Sequence, residues 1–316
     1  MPRTVRRPIK KGKSLAERQA ARRGISLRGV GISATTEHRY NSAMSTLLPS
    51  LELAGSMDDL DPLCEEWIEA QWVAGTPLGI IGDALCGVHF YWPQSKGFLK
   101  GSWRLYRNWR RIEVPQRAPP LPRLVCRALI SFFLECNEPT MAFLLALGFH
   151  TYLRTGEILK LTAQDVALNS QHGVVTIRRS KTGLRFNIDE AVAINDLSLF
   201  SLWELCHLER ALAPGDLICR RSANAFRQLF YQGIHFFKLD HIGFAPYSIR
   251  RGGATHSFQT SQSLESILLR GRWRALGVAR LYIEAGQAEL SQLQVSPQSQ
   301  RLLASFNRGL PPQMLP

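Results

Sequence analysis

The sequence lacks several features that would place it in common classes of protein. No apolar run approaches a membrane span: the longest, residues 141–149, has nine residues, whereas a transmembrane helix needs about 20. None of the six cysteines belongs to a C-x-x-C pair, and no histidines stand at zinc spacing around them, which argues against the common zinc modules. We therefore interpret the cysteines as reduced, mostly buried thiols of an intracellular protein without a membrane segment.

Acidic residues are also scarce. The 316 residues include 39 Lys or Arg and only 25 Asp or Glu, which gives a formal net charge of +14. Such a balance favours an anionic partner, most often nucleic acid and less often a membrane surface. The alternatives are a solvated basic surface or a ribosome-like protein. The length and the hydrophobic share of 45% are sufficient for two domains with real cores.

The positive charge is concentrated at the N-terminus. Residues 1–28 contain ten Lys or Arg and one acid, Glu17, which gives this segment a net charge of +9. A segment this polar and charged has too few apolar side chains to form a core. We therefore expect residues 1–33 to form a mostly disordered basic arm. Without an apolar core it is not a secretory signal. A nuclear-localisation segment and a DNA-gripping arm both fit this composition.

Residues 34–112 have the apolar spacing of a small helical domain. Ser33, Thr35 or Thr36 is placed to cap its first helix, and residues 101–111 read GSWRLYRNWRR. In this stretch the aromatic residues recur at helical spacing, which is typical of a core face, and the arginines lie between them. The arginines either form a solvated face or neutralise DNA phosphates, and the sequence leaves both interpretations open. They are Arg104, Arg107, Arg110 and Arg111.

A proline-rich stretch marks the domain boundary. Residues 113–122, EVPQRAPPLP, contain four prolines and are expected to form a stiff, extended linker. Residues 123–290 then form the second domain, followed by a tail at residues 291–316. The predicted fold is mainly α, with a helical N-terminal domain and a second α+β domain that carries one small antiparallel sheet.

The second domain is predicted from its local patterns. Apolar runs indicate helices over residues 123–135 and 140–149. Residues 174–179 and 185–194 read as two strands on either side of the turn at 180–183, which predicts a β-hairpin.

Polar residues in four segments of the second domain are candidates for chemistry, although each has an ordinary structural interpretation. In TYLRTGEILKL, Arg154 and Glu157 have the spacing of a surface ion pair. In RRSKTGLR, Lys181 occupies the tip of the hairpin, where lysine is normally solvated. In PYSIRRGGATHSF, Arg250 follows Tyr247 by one turn if Pro246 opens a helix.

The fourth segment, LLRGRWRALGVARLYIEAG, places Trp273 after a glycine turn and Tyr282 nine residues later. A tyrosine in such a place is usually half-buried packing. Taken together, however, the four segments form an ordered set: Arg, Glu, Lys, Tyr-x-x-Arg, Gly-x-Trp and Tyr.

This ordered set resembles the tyrosine recombinases, the phage-integrase family. That family has a first arginine in a G-x-R-x-x-E-L-like helix start, a lysine on a β-hairpin, an H-x-x-R box, a G-H or G-W turn and a tyrosine nucleophile. The resemblance covers roughly residues 35–290 and includes a core-binding domain before the linker. By its motifs, the catalytic residues are Arg154, Lys181, Tyr247, Arg250, Trp273 and Tyr282.

The resemblance implies a DNA-cutting and rejoining reaction through a phosphotyrosyl intermediate. Tyr282 attacks the scissile phosphate, and Arg154 and Arg250 clamp the non-bridging oxygens. Lys181 acts as the acid for the leaving oxygen, and Glu157 orients Arg154. Trp273 packs the site and offers its indole N–H. Arg251 and Arg272 are further candidates for DNA contact, whereas His256 is assigned no catalytic role.

Two positions depart from the family pattern. Tyr247 stands where histidine is usual; it can donate a hydrogen bond to the phosphate, but its ordinary pKa of about 10 suits it poorly to proton transfer near neutral pH. Tyr152 occupies the usual glycine position of the first box. The alternative function is therefore a catalytically impaired DNA-binding relative derived from a mobile element.

The resemblance also implies the partners. These are double-stranded DNA and a homotetramer assembled on it, with residues 290–306, beyond the nucleophile, as a docking segment for a neighbouring protomer. No metal or other cofactor is implied, because arginines neutralise the charge and the acidic residues do not cluster as a two-metal nuclease requires. An intracellular, DNA-associated location is expected, in the nucleus if the host is eukaryotic.

Overall fold

A computed structural model of the chain describes residues 14–24, 31–114, 117–169, 172–178, 189–196, 198–260 and 262–309. The chain divides into two compact units, Met1–Gln116 and Arg117–Pro316. The boundary thus falls inside the proline-rich stretch. No helix in the described ranges is long and apolar enough to cross a membrane.

The basic N-terminal segment is helical in part. Helix α1, Leu15–Arg22, begins after Ser14, whose hydroxyl accepts from the backbone N–H of Glu17 while the Glu17 carboxylate accepts from that of Ser14. These reciprocal bonds satisfy two N–H groups that a helix start would otherwise leave unpaired. We expected a mostly disordered arm; of that arm, residues 14–24 and 31–33 are described, and the first range carries a capped helix.

The rest of the first unit is a helical domain. Ser33 caps its first helix by accepting from the Thr36 backbone N–H at 3.2 Å. It is one of the three cap residues that the sequence allowed. The core of the domain contains Met44, Leu47, Trp67 and Leu85. Its helices are α2 (Ala34–Met44), α3 (Leu48–Leu51), α4 (Leu60–Val73), α5 (Leu78–Tyr91) and α6 (Lys100–Ile112).

Helix α6 presents two different faces. Asp61 of α4 fixes its start by accepting from the backbone N–H groups of Gly101 at 2.7 Å and Ser102 at 2.8 Å. Trp109 is buried and packs edge-on against Trp72, with ring centroids 4.9 Å apart. The aromatic side chains therefore face the core, and the four arginines of α6 are exposed.

The second unit is mainly helical with a three-stranded antiparallel sheet, which confirms the predicted fold class. Its strands are β1 (Val166–Leu168), β2 (Gly173–Ile177) and β3 (Glu190–Ile194), in the order β1-β2-β3. Strands β2 and β3 pair antiparallel, as expected for the two arms of the predicted hairpin, with Ile177 opposite Glu190. The predicted turn at residues 180–183 lies outside the described residues. Strand β1 was not predicted, since three residues are too few to show an alternating pattern.

The first two helices of this unit follow the two predicted apolar runs. The helices before the sheet are α7 (Arg123–Glu135), α8 (Pro139–Thr151) and α9 (Thr155–Ile158). Those after it are α10 (Ser198–Arg210), α11 (Ala223–Phe236), α12 (Pro246–Gln259), α13 (Leu264–Gly271), α14 (Leu276–Ala279), α15 (Ala285–Leu293) and α16 (Pro297–Gly309).

Two glycines bring α12 against its neighbours. A Cβ at Gly253 would collide with the carbonyl oxygen of Phe149 in α8, and a Cβ at Gly252 would collide with the carbonyl oxygen of Leu121. The Ser248 carbonyl also accepts from the Leu121 backbone N–H at 3.0 Å. The end of the linker and α8 therefore hold the first half of α12 in one position, and this half carries Tyr247 and Arg250.

The C-terminal segment packs on its own unit. Leu303 of α16 is fully buried, and the Phe306 ring lies 5.3 Å from that of Phe237. The Ser131 hydroxyl donates to the Phe306 carbonyl at 2.9 Å, which ties α16 to α7. We expected the catalytic domain to end at residue 290 and residues 291–316 to form a tail that docks on a neighbouring protomer; as far as Gly309, this tail packs on the second unit.

The six cysteines all lie in described ranges, and none forms a disulfide. Cys64, Cys126, Cys206 and Cys219 are buried, while Cys136 is exposed. Burial raises the pKa values of Cys64 and Cys126 to about 12. These two thiols are therefore uncharged at neutral pH, as expected for packing residues.

Candidate active site

The candidate site is built around the start of α12. Pro246 is the first residue of this helix, as predicted, and its fixed φ angle suits that position. Tyr247 and Arg250 are three residues apart and so lie on the same side of the helix. Arg250 is only 1% exposed, whereas Tyr247 is 42% exposed.

Two backbone carbonyls fix the guanidinium of Arg250. Its Nη1 donates to the carbonyl oxygen of Tyr152, and its Nη2 donates to that of Gly271 at 2.9 Å. Both carbonyls lie at helix ends that turn through the left-handed region, with φ of 51° at Tyr152 and 55° at Arg272. Glycine adopts this conformation most easily, and here two larger residues adopt it beside the same arginine.

Aromatic rings pack against this arginine. Its guanidinium carbon lies 5.0 Å from the centre of the Trp273 ring and 4.9 Å from that of the Tyr282 ring. The two rings stack on each other, with centroids 4.7 Å apart and planes 26° apart. Cation–π attraction therefore adds to the two hydrogen bonds in orienting Arg250.

A buried threonine anchors the segment that carries Tyr282. The hydroxyl of Thr255, on α12, donates to the Tyr282 carbonyl oxygen at 3.1 Å and accepts from the Glu284 backbone N–H at 3.2 Å. One side chain thus ties the backbone on both sides of Ile283 to the helix of Arg250. Tyr282 itself is half-buried.

Arg154 lies at the start of α9, where Glu157 holds it. The Glu157 carboxylate accepts from the Arg154 Nη1 at 2.6 Å and from the Arg154 backbone N–H at 2.9 Å. Glu157 is 7% exposed, and burial alone would raise its pKa. Arg272 and Arg154 more than offset that effect and lower it, so Glu157 is ionised at neutral pH. Its two contacts with Arg154 are those that the orienting role proposed from the sequence requires.

The phenols of the site have pKa values displaced in opposite directions. Burial raises the pKa of Tyr247 to about 12, together with its hydrogen bond to Tyr282. Burial also opposes ionisation of Tyr282, but the hydrogen bond from Tyr247 and the charges of Arg250 and Arg154 lower its pKa overall. Tyr282 is therefore the phenol that ionises more easily, which suits a nucleophile.

Positive charge accumulates around these phenols. Burial, Arg154 and Arg272 lower the pKa of Arg250 to about 10. Within the described ranges, the buried donors Arg250 Nε and Trp273 Nε1 have no hydrogen-bond partner. Such donors beside clustered cations fit an anion that offers several acceptor oxygens. No group of three or more His, Cys, Asp or Glu residues in those ranges could hold a metal ion.

The structure brings together most of the residues that the sequence pointed to. Lys181 lies outside the described residues. The four arginines of α6 belong to the other unit and are exposed. The residues that meet at the start of α12 are Arg154, Glu157, Tyr247, Arg250, Trp273 and Tyr282.

Two expected DNA contacts need correction. Arg251 is fully buried, where its Nη1 donates to the Ala118 carbonyl oxygen at 2.7 Å and its Nη2 forms an ion pair with Glu284. Adjacent residues on a helix point about 100° apart, so Arg251 faces the linker while Arg250 faces the site. The Arg272 side chain is 6% exposed and is paired with two carboxylates, so it too is turned away from solvent.

Several supporting residues were missed by sequence reasoning. Thr255 and Glu190 gave no signal, because their roles depend on contacts between distant parts of the chain. Tyr152 was noticed only as a substitution for glycine; its carbonyl binds Arg250, and its ring stacks parallel to Trp273 with centroids 6.0 Å apart.

Comparison with known proteins supports the fold. No protein-family model and no curated protein matches the chain. Among solved structures, the Tn1549 transposon integrase in complex with circular intermediate DNA is 11% identical, with a TM-score of 0.55, over 87% of this chain and 97% of that one. XerH site-specific recombinase, bound to palindromic difH substrate in a post-cleavage complex, is 16% identical, with a TM-score of 0.52, over 88% and 83%.

A lambda integrase tetramer bound to a Holliday junction is 15% identical, with a TM-score of 0.53, over 82% of this chain and 74% of that one. All three are recombinases or integrases of the tyrosine class named above for the ordered motifs. The chain therefore has the tyrosine recombinase fold.

Proposed function

We propose that this protein is a site-specific DNA recombinase or integrase that cuts and rejoins DNA through a covalent bond to Tyr282. The observation that carries the proposal is the position of Tyr282, with its ring 4.9 Å from the guanidinium carbon of Arg250 and its pKa lowered by its neighbours. A nucleophile beside an arginine clamp suits attack on a phosphodiester.

In the proposed reaction, the Tyr282 oxygen forms a bond to the scissile phosphorus, and the bond from phosphorus to the leaving strand breaks. The leaving oxygen takes a proton and becomes a free hydroxyl; Lys181 is the proposed acid. Attack by the hydroxyl of another strand reverses these steps and releases Tyr282. The energy of the phosphodiester is kept throughout, so no nucleotide cofactor is needed.

Arg154 and Arg250 are proposed to bind the non-bridging oxygens, where negative charge develops in the transition state. Supporting this, Glu157 and the two carbonyls hold both guanidinium groups before any substrate arrives. Such preorganisation lowers the cost of reaching the transition state. The unpartnered indole N–H of Trp273 is a third proposed donor to the phosphate.

The experiment is covalent trapping on nicked duplexes of randomised sequence, in which the short cleaved fragment is lost so that the adduct cannot reverse. Wild-type protein is expected to give a protein–DNA adduct that survives denaturation, and Tyr282→Phe none. Tyr231→Phe, which changes an exposed tyrosine of α11, is the matched control and retains the adduct. An undiminished adduct from Tyr282→Phe would sink the mechanism. DNA binding without any wild-type adduct would favour the alternative, a non-catalytic DNA-binding relative.

The proposed partners are double-stranded DNA and further copies of this chain. Exchange of strands between two duplexes needs a nucleophile at each cleaved strand, and a homotetramer supplies four; the tetrameric lambda integrase is a precedent for that arrangement. The proposed docking segment of such an assembly is residues 290–306, although its helix α16 also packs on its own unit.

A further inference from the structure

Arg272 is an unusual residue for its position in the fold. It follows α13 in the left-handed conformation, with φ of 55° and ψ of 40°, which side chains larger than glycine rarely adopt. Its side chain is also 6% exposed. Burial of a cation and a strained backbone both destabilise the folded chain, so compensating contacts must hold Arg272 in place.

The compensating contacts are two carboxylates from different elements, one buried and one largely buried. The Arg272 Nη2 lies 2.6 Å from Oε2 of Glu157 in α9, and its Nε lies 3.2 Å from Oε2 of Glu190 in β3. Glu157 in turn binds Arg154 at 2.6 Å. Four charges of alternating sign thus connect β3 to the arginine at the candidate site, in the order Glu190, Arg272, Glu157, Arg154.

We propose that Arg272 is a positioning residue for Arg154, acting through Glu157, and not a contact to DNA. Arg272 neutralises one side of the Glu157 carboxylate, which leaves Arg154 able to share its remaining donors with a phosphate. Without Arg272, the Glu157 carboxylate would lose one of its two cations, and the Arg154 guanidinium would be drawn toward Glu157 and away from the anion. A planar guanidinium that lies between two carboxylates suits this bridge, whereas a lysine ammonium offers only a point charge.

The inference rests on the proposed function, and its test separates the two. The variants are Arg272→Gln, Arg272→Lys, Glu157→Gln and the double variant Glu157→Gln/Arg272→Gln. Arg221→Gln is the matched control, because it breaks an ion pair with Glu138 that is not part of the site. The measurements are the adduct rate on the nicked randomised pool, its pH profile, and the affinity for the same pool at several salt concentrations. Thermal unfolding of each variant shows that it is folded.

For Arg272→Gln we expect an adduct rate at least about tenfold lower, since a small misplacement of a clamping group has effects of that size. We expect the affinity for DNA and its salt dependence to be unchanged. The acid limb of the pH profile moves to higher pH, because Glu157 has lost a cation that favours its charged form. Arg272→Lys recovers part of the rate. The double variant is no slower than Glu157→Gln alone, since Arg272 acts through Glu157.

If Arg272→Gln lowers the affinity for DNA and its salt dependence while the adduct rate per bound protein is unchanged, Arg272 contacts DNA and the proposal is overturned. Additive effects of Glu157→Gln and Arg272→Gln on the adduct rate would also overturn it. If wild-type protein forms no adduct, the proposed function fails, and a crystal structure of Arg272→Gln decides the inference. A shifted Arg154 guanidinium then supports it, and an unmoved one overturns it.

Discussion

Tyr247 and Tyr282 lie side by side at the candidate site, with ring centroids 5.9 Å apart and planes tilted by 47°. The pKa of Tyr247 is raised to about 12 and that of Tyr282 is lowered. Tyr247 therefore keeps its proton at a pH at which Tyr282 can ionise. The sequence suggested a hydrogen bond from Tyr247 to the phosphate; the structure also places Tyr247 beside the nucleophile.

Removing the Tyr247 hydroxyl tests this pairing. In Tyr247→Phe the pKa of Tyr282 rises, because a hydrogen bond to its charged form is lost, and the rising limb of the pH–rate profile for adduct formation moves to higher pH. At neutral pH the rate falls by about tenfold to a hundredfold, as expected for a hydrogen bond to a charged group of about 1.5–3 kcal/mol. An unshifted limb would mean that Tyr247 does not act on Tyr282.

The close approach of α12 to α8 predicts a position that does not tolerate a methyl group. Gly253→Ala is expected to lower the free energy of unfolding of the second unit by about 2–3 kcal/mol, because its Cβ meets the Phe149 carbonyl oxygen. Urea denaturation measures this. Gly286→Ala is the control in the same unit: Gly286 lies in α15 with open space around its Cβ, so this variant is expected to be at least as stable as wild type. Equal stabilities of the two variants would contradict the packing described.

The pKa of the buried His150 side chain predicts how the free energy of unfolding depends on pH. Burial and the neighbouring Arg270 lower its pKa to about 4, against the opposing effect of Asp196. The unfolded chain then binds a proton between about pH 6.5 and 4 that the folded chain does not, so the free energy of unfolding falls as the pH falls through this window.

His150→Gln should remove that part of the loss, about 2–3 kcal/mol over the window at 1.36 kcal/mol per pKa unit. The measurement is urea denaturation of both proteins at pH 4, 5, 6 and 7. His256, whose pKa is also lowered, titrates in both proteins and so cancels in the difference. Parallel curves for wild type and variant would contradict the assignment.

The exposed face of α6 predicts a salt-dependent contribution to DNA binding. If Arg107 neutralises a phosphate, Arg107→Ala lowers affinity similarly for all sequences and reduces the slope of log affinity against log salt by about 1. Arg39→Ala is the control in the same unit, since Arg39 already pairs with Asp83. Filter binding from 50 to 300 mM salt measures both slopes. Equal slopes for Arg107→Ala and wild type would identify this face as merely solvated.

Much of the helical fold could be predicted from local pattern. Helix α7 spans residues 123–135, the bounds that its apolar run and Pro122 indicate. Strand β1 could not be predicted, because three residues carry too little alternation. The packing of α16 was also missed, because an amphipathic helix at a chain end shows that it has an apolar face but not which surface covers it.

The order and spacing of the motifs along the chain predicted part of the candidate site. Which of its side chains are buried, and what they contact, could not be predicted in this way. The order of boxes pointed to Arg250, Trp273 and Tyr282. The Tyr-x-x-Arg spacing singles out Arg250, but only the fold shows that the neighbouring Arg251 faces Glu284. Arg272 reads as a basic surface residue in the sequence, and its two carboxylate partners lie 115 and 82 positions earlier in the chain.

The most direct test of the account identifies the amino acid that carries the DNA. Adducts trapped on the nicked pool are digested with nuclease and trypsin, and the nucleotide-bearing peptide is sequenced by mass spectrometry. Cleavage after Arg280 places Tyr282 in a peptide that begins at Leu281, whereas Tyr247 lies in a separate peptide that ends at Arg250. The account predicts the nucleotide on Tyr282; a nucleotide on Tyr247 or on any other residue would contradict it.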